Sequence, residues 1–92
     1  MSLNIKTETA KIDDEIKLSS GKKLMSYDIK YETYGHLSDK KDNAVLICHA
    51  LSGNHHAAGR YKGEEKSGWW DNMIGPGKPI NTDKLFVVCP NN

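Results

Sequence analysis

Residues 48–54, with the sequence Cys-His-Ala-Leu-Ser-Gly-Asn, are the stretch of this chain that is most informative about chemistry. They follow an apolar run directly, which predicts a tight turn at the end of a buried strand. Such a turn leaves backbone N–H groups unpaired, and N–H groups aimed into a crevice can stabilise the oxyanion of an acyl transfer. An ordinary strand-to-loop turn explains the same residues, so this pattern alone leaves both interpretations open.

Ser52 and three nearby histidines suggest two further kinds of chemistry. Ser52 could serve as a nucleophile, but it lacks the G-x-S-x-G pattern that exposes a serine on a sharp turn, so we interpret it as a turn or pocket-wall residue. Cys48 and the histidines do not have the spacing of a structural zinc site, which uses close ligand pairs at both ends. We therefore predict no metal site. The histidines are His49, His55 and His56.

The elements that must position this stretch are predicted to be strands. Residues 25–33 alternate apolar or aromatic with polar side chains, which indicates one face on a core and the other in water. Residues 12–18 and a turn at 19–22 complete an antiparallel β-hairpin with this strand. Residues 1–11 are polar and aperiodic, and we expect a loose lead-in there. The water-facing side chains would be Ser26, Asp28, Lys30 and Glu32.

Two later segments, 44–48 and 85–89, are apolar at every position, as strands buried on both faces of a sheet are. Each ends in a cysteine, and we expect Cys48 and Cys89 to be reduced and buried. A long glycine-containing loop, 50–68, lies between them. No long amphipathic helix is visible to cover such a sheet, so the pattern predicts either an unusual small fold or the front part of a larger one.

The composition narrows the classes of function. A total of 13 Lys and Arg against 12 Asp and Glu gives a net charge of +1, without the basic excess that nucleic-acid or polybasic membrane binding needs. No apolar run approaches the roughly 18–20 residues of a membrane span. The first residues lack the apolar region of a secretory signal. We therefore expect a cytoplasmic protein with no nucleic-acid and no membrane partner.

Five motifs follow one another along the chain. They are Tyr-Glu-Thr-Tyr-Gly at 31–35, Leu-Ile-Cys-His-Ala-Leu-Ser-Gly at 46–53, Gly-Trp-Trp-Asp at 68–71, Gly-Pro-Gly-Lys at 75–78 and Phe-Val-Val-Cys-Pro-Asn at 86–91. Together they resemble the N-terminal portion of homoserine O-acetyltransferase, an α/β-hydrolase-fold enzyme of methionine biosynthesis. The resemblance covers residues 24–92. It implies the α/β fold class, with residues 1–92 as the N-terminal portion of a single α/β-hydrolase domain: a β-hairpin, then two buried strands that flank the oxyanion loop.

The resemblance also implies an activity. The family moves an acetyl group from acetyl-CoA, its co-substrate, to the hydroxyl of L-homoserine by a ping-pong acyl-serine mechanism, and binds no covalent cofactor. The full-length enzyme would be a homodimer. The family's nucleophile, aspartate and histidine all lie outside these 92 residues, so the chain alone is predicted to be inactive. The backbone N–H of Leu51 would be an oxyanion donor, and the wall of the acyl pocket would be Ala50, Leu51, Ser52 and Gly53.

Two alternatives stay open at this point. A homoserine O-succinyltransferase, or another α/β-hydrolase-fold esterase, would use the same segment with a different substrate. A non-catalytic interaction module would instead have these 92 residues as its whole length, and would fold cooperatively by itself.

Overall fold

The computed structural model describes residues 3–91, and all of its regular elements are β-strands. These are β1 (Ile5–Ile12), β2 (Ile16–Lys17), β3 (Lys23–Leu24), β4 (Tyr27–Tyr34), β5 (Ala44–Leu46), β6 (Ile74–Gly75), β7 (Ile80–Asn81) and β8 (Phe86–Asn91). Four strands form one mixed sheet in the order β1-β4-β8-β5, while β2-β3 and β6-β7 form short two-stranded ladders. Within this described range, no helix has the length and apolar character needed to cross a membrane.

The N-terminal part of the sheet is a long antiparallel hairpin. β1 and β4 pair over eight residues, from Ile5 opposite Tyr34 to Ile12 opposite Tyr27. β2 and β3 continue the hairpin, with Ile16 opposite Leu24. Their register is shifted by one residue from that of β1 and β4, in which Ile12 lies opposite Tyr27. The predicted hairpin and its turn at residues 19–22 are therefore present, but the first strand expected at residues 12–18 is wrong in its bounds, because β1 forms the long arm and only Ile16–Lys17 follows it.

The expectation of a loose lead-in over residues 1–11 is wrong for the part that the structure describes. β1 begins at Ile5 and is paired along its whole length with β4. Within residues 3–91 it is an edge strand whose side chains are mostly exposed, so backbone pairing holds most of it, and Ile5 at its start packs against the core. Residues 1 and 2 lie outside the described range.

β8 is the central strand of the parallel region. It pairs antiparallel with β4, where Val87 lies opposite Tyr34, and parallel with β5, where Phe86 lies opposite Ala44. Val87 and Cys89 are completely buried, which confirms burial of one face of the strand, whereas Phe86 and Val88 on the other face are only half-buried, so the predicted burial on both faces is wrong there. Burial raises the pKa of the Cys89 thiol to about 11, so this thiol stays protonated near neutral pH.

β5 is less buried than its sequence predicts. Ile47, just after the strand, is only 6% exposed, but Leu46 is 65% exposed, and Ala44 and Cys48 are also exposed. The prediction of burial on both faces is therefore wrong at these three positions, which include Cys48. The physical reason is that β5 is an edge strand within residues 3–91, with one neighbour, β8. Both cysteines are free, as expected.

The core lies on one face of the sheet, beneath the long loop that follows β5. Its buried members are Tyr34, Ile47, Ala57, Ala58, Ile74, Val87 and Cys89. The loop is held to itself where the Trp69 N–H donates to the His56 carbonyl and the Trp70 N–H to the Ala57 carbonyl. Gly68 permits this contact, because a Cβ there would overlap backbone atoms of Ala57 and Ala58.

Candidate functional site

The candidate site lies at the carboxyl ends of the two parallel strands. β5 leads into residues 47–54, and β8 ends at the same edge with Pro90 and Asn91. A cavity of about 290 Å³ opens there, lined by Ile29, Cys48, His49, Pro90 and Asn91. Ligands of open α/β sheets bind outside the carboxyl ends of the strands, so this is the edge at which a site is expected.

A four-residue turn follows the cavity-lining residues Cys48 and His49. It is closed where the Gly53 N–H donates to the Ala50 carbonyl over 2.9 Å, which puts Leu51 and Ser52 at the two central positions. The N–H groups of these central residues donate no hydrogen bond within residues 3–91. The Leu51 side chain is fully exposed. The turn therefore presents two backbone donors that the described part of the protein leaves free.

Gly53 is needed for the close packing of this turn. A Cβ at position 53 would lie 2.9 Å from the Cβ of His49. The His49 ring in turn lies against the turn, with its Nδ1 2.7 Å from the Ala50 carbonyl oxygen. All four residues that the resemblance assigns to the acyl pocket therefore occupy one compact turn beside the cavity; their role there stays a prediction.

Asn54 fixes the chain directly after the turn. Its side-chain oxygen accepts the His56 N–H at 2.9 Å, and its carbonyl accepts the Trp69 indole N–H at 2.9 Å. The Cys89 thiol lies 3.6 Å from the same carbonyl. The segment that leaves the turn is thus held by groups from the loop itself and from β8.

A buried carboxylate is the largest departure from the sequence prediction. Glu32 was expected to face water, yet it is completely buried. The predicted alternation of β4 is confirmed from Tyr27 to Tyr31, but the loop after the turn covers the face on which Glu32 and Tyr34 lie. The expectation is wrong because four donors supplied by β1, β4 and the loop take the place of water.

These donors and Glu32 form what we call the Glu32 cluster. The Tyr34 hydroxyl and the His56 Nδ1 each lie 2.7 Å from Oε1, while the Thr7 hydroxyl, at 3.2 Å, and the Tyr61 hydroxyl donate to Oε2. The Tyr61 ring stacks on His56 with 3.9 Å between ring centroids. Burial, and then the hydrogen bond to Glu32, raise the pKa of Tyr61 to about 12.

Tyr34 connects the Glu32 cluster to the backbone of the loop. Its hydroxyl accepts the N–H groups of Ala57, at 2.8 Å, and Ala58, at 3.2 Å, while it donates to Glu32. Burial is the largest cause of the raised pKa of Tyr34, and the hydrogen bond to Glu32 adds to it. The sequence carried one signal for this arrangement, since residues two apart on a strand share a face and therefore place an acid beside a phenol.

The structure does not assemble the other groups that were weighed from the sequence. Within residues 3–91, no three His, Cys, Asp or Glu side chains converge as metal ligands. The Ser52 hydroxyl makes no hydrogen bond to a histidine in this range, and His56 is bound to Glu32. Burial lowers the pKa of His55, so its ring is favoured in the neutral form.

The chain is similar in sequence to bacterial homoserine acyltransferases. It is 59% identical over 81 residues to the homoserine O-succinyltransferase of Hydrogenovibrio crunogenus, covering 88% of this chain and 21% of that protein. It is 55% identical over 91 residues to the homoserine O-acetyltransferase of Sulfurimonas autotrophica, covering 99% of this chain and 25% of that protein. The chain thus spans between a fifth and a quarter of the length of these relatives. No protein-family model matches it.

Solved structures match the fold over nearly the whole chain. Homoserine O-acetyltransferase from Bacillus anthracis superposes with a TM-score of 0.86 at 42% identity, covering 96% of this chain and 23% of that one. The L374D mutant of esterase E22 superposes with a TM-score of 0.86 at 35% identity, covering 96% and 24%. These neighbours confirm the predicted fold class, the N-terminal part of an α/β-hydrolase fold.

Proposed function

Since the chain belongs to the homoserine O-acyltransferase family, we propose that residues 1–92 form the N-terminal portion of a single α/β-hydrolase domain in an acetyl-transferring enzyme. The enzyme moves the acetyl group of acetyl-CoA to the hydroxyl of L-homoserine. A serine elsewhere in the full-length protein attacks the thioester, the CoA thiol leaves, and the homoserine hydroxyl then attacks the acyl-serine. The observation that carries this proposal is the turn at residues 50–53, with free N–H groups beside the cavity.

The contribution of this segment is electrostatic. Each tetrahedral intermediate carries a negative oxygen, and the Leu51 N–H donates to it at no cost of reorganisation, because no group of residues 3–91 accepts this N–H. A donor of this kind is worth about 3–4 kcal/mol of transition-state stabilisation. Ala50, Ser52 and Gly53 form the wall of the acyl pocket around it. The 92 residues supply no triad and are inactive alone.

Two other substrates are supported by specific observations. Relatives named homoserine O-succinyltransferase align as well as those named acetyltransferase, which supports succinyl-CoA as the second candidate donor. The structural match to an esterase supports hydrolysis of a simple ester. Rates of the full-length protein with acetyl-CoA, succinyl-CoA and p-nitrophenyl acetate distinguish the three activities. We expect acetyl transfer to homoserine to be the fastest. A larger rate with succinyl-CoA or with the ester would make that substrate the proposed one instead.

The setting of the enzyme follows from the same proposal. Its partners are the small molecules acetyl-CoA and L-homoserine, and the full-length protein is a homodimer in the cytoplasm. Two free cysteines support a reducing compartment. Light scattering of the full-length protein tests the dimer, and a monomer would contradict it.

Replacing Leu51 by proline tests the oxyanion donor directly. Proline lacks the N–H but is favoured at the second position of a type I or II β-turn, the position that Leu51 occupies. We expect kcat of the full-length enzyme to fall by about 10²–10³. Leu51→Ala is the matched control, because it removes the exposed side chain and keeps the donor. A folded proline variant as active as the alanine variant would refute the role.

A further inference from the structure

The turn that carries Leu51 is held almost entirely from its two ends. Ala50, Leu51 and Ser52 are all exposed, so packing of their own side chains does not fix their position. On the strand side, the Ile47 N–H donates to the Val88 carbonyl at 2.8 Å, and the Ile47 side chain is buried. The position of the turn therefore depends on how firmly the segment on its other side, residues 54–58, is held.

Glu32 is one part of that second anchor, beside the Trp69 indole and the Cys89 thiol, which both contact the Asn54 carbonyl. The His56 ring is bound to the Glu32 carboxylate, and the His56 N–H is bound to the side chain of Asn54, the residue directly after Gly53, whose N–H closes the turn. Tyr34, which donates to the same carboxylate, accepts the N–H groups of the next two residues of the loop. The Glu32 carboxylate thus orients the His56 ring and the Tyr34 hydroxyl, and these two groups contact consecutive residues of the segment after the turn.

We propose that Glu32 is a positioning residue for the oxyanion turn. Its carboxylate holds His56 and Tyr34, these hold residues 54–58, and the segment holds the Leu51 N–H where the oxyanion forms. The inference rests on the proposed function of the turn. A carboxylate suits this place because both of its oxygens only accept, and each accepts two of the four donors; the glutamine amide has one accepting oxygen and a donating nitrogen.

The test compares Glu32→Gln with Glu8→Gln in the full-length enzyme. Glu8 is the matched control, because it also accepts a tyrosine hydroxyl at 2.7 Å, from Tyr31, but at an exposed site on the other face of the same two strands. Acylation is measured without homoserine, with acetyl-CoA and with p-nitrophenyl acetate, per active site counted by titration. Counting active sites removes any effect that merely reduces the amount of folded enzyme.

We expect Glu32→Gln to lower the acylation kcat about 10- to 100-fold, since a misplacement of about 1 Å costs about 100-fold. The factor is the same for both substrates and KM changes less than about threefold, because both pass through the same oxyanion and binding is untouched. Glu8→Gln stays within about twofold of the wild type. A Glu32→Gln enzyme with wild-type kcat, or with a loss confined to KM, overturns the proposal.

Two further results have fixed meanings. If Glu32→Gln does not fold, Tyr34→Phe replaces it, because this change removes the hydroxyl that joins the carboxylate to the N–H groups of Ala57 and Ala58 and keeps the ring. A folded Tyr34→Phe enzyme with wild-type kcat then overturns the inference, and a lowered kcat at unchanged KM supports it. A wild-type enzyme without acyl transfer refutes the proposed function and this inference together, whereas an active wild type with insensitive variants refutes the inference alone.

Discussion

Two tyrosine–glutamate hydrogen bonds of equal length allow the energetic value of burial to be measured within one hairpin. The Tyr34 hydroxyl donates to Glu32 within β4, and the Tyr31 hydroxyl donates to Glu8 across the β1–β4 pair, both over 2.7 Å. Tyr34 and Glu32 are completely buried, whereas the Tyr31–Glu8 bond is exposed. Replacing each tyrosine by phenylalanine removes the same atom from two different environments.

The magnitude for Tyr34→Phe follows from the partners left behind. The Ala58 N–H has the Tyr34 hydroxyl as its acceptor, so it becomes an unpaired buried donor at a cost of about 1–3 kcal/mol. The Ala57 N–H keeps its bond to the His55 carbonyl, and Glu32 loses one of its four donors, for about a further 1 kcal/mol. We expect a total loss of about 2–4 kcal/mol. Tyr31→Phe leaves groups that water can reach, so its effect is small.

Urea denaturation of the full-length protein measures both variants, with hydrogen exchange of the Ala58 amide as a local readout. In Tyr34→Phe the midpoint falls and this amide exchanges faster, while in Tyr31→Phe neither changes appreciably. Equal losses of stability in the two variants would show that burial of the hydroxyl does not determine how much its hydrogen bond stabilises the fold. A loss of less than about 1 kcal/mol in Tyr34→Phe would refute the claim that the variant leaves the Ala58 N–H unpaired and buried.

Two other changes test the packing and the ionisation of the loop. Gly68→Ala places a Cβ against backbone atoms of Ala57 and Ala58, so denaturation should show a loss of about 3 kcal/mol or more in the free energy of unfolding. Gly63→Ala, at a residue with a positive φ but open space, should lose about 1–2 kcal/mol. Equal losses in the two variants would contradict the close contact at Gly68. Tyr61 has a pKa of about 12 in the folded protein against an ordinary value of 10.0, so its stabilising effect is complete below pH 10 and is lost as the pH rises through 12. Denaturation midpoints from pH 9 to 12 should fall more steeply for the wild type than for Tyr61→Phe, and parallel curves would exclude this residue as the cause.

The sequence predicted those elements whose patterns are local. The turn at 19–22 and the alternation from Tyr27 to Tyr31 fix the hairpin, because neighbouring residues alone determine both. The apolar run of β8 predicted the burial of Val87 and Cys89. The resemblance assigned a role to residues 50–53, which lie together in one turn, and that role stays a prediction.

The sequence prediction failed where distant partners decide. β1 is polar and has no apolar period, yet it is a full strand because β4 provides a partner for every residue from Ile5 to Ile12. β5 has a fully apolar pattern, yet it is exposed because its burial depends on a neighbour that residues 3–91 do not provide. Glu32 is polar and lies at a predicted water-facing position, yet it is buried because donors from residues 7, 56 and 61 meet there.

The place of β8 in the sheet has a consequence for the order in which the chain can fold. β8 is the last strand of the described chain, but it lies between β4 and β5, which precede it. The β1–β4 hairpin can form from nearby residues during synthesis, whereas β5 has no strand to pair with until residues 86–88 emerge. Pairings this far apart in sequence form slowly. Until then the edges of β4 and β5 that will face β8 have unpaired backbone N–H and C=O groups, which can pair with a wrong strand. The insertion of β8 pairs both edges at once.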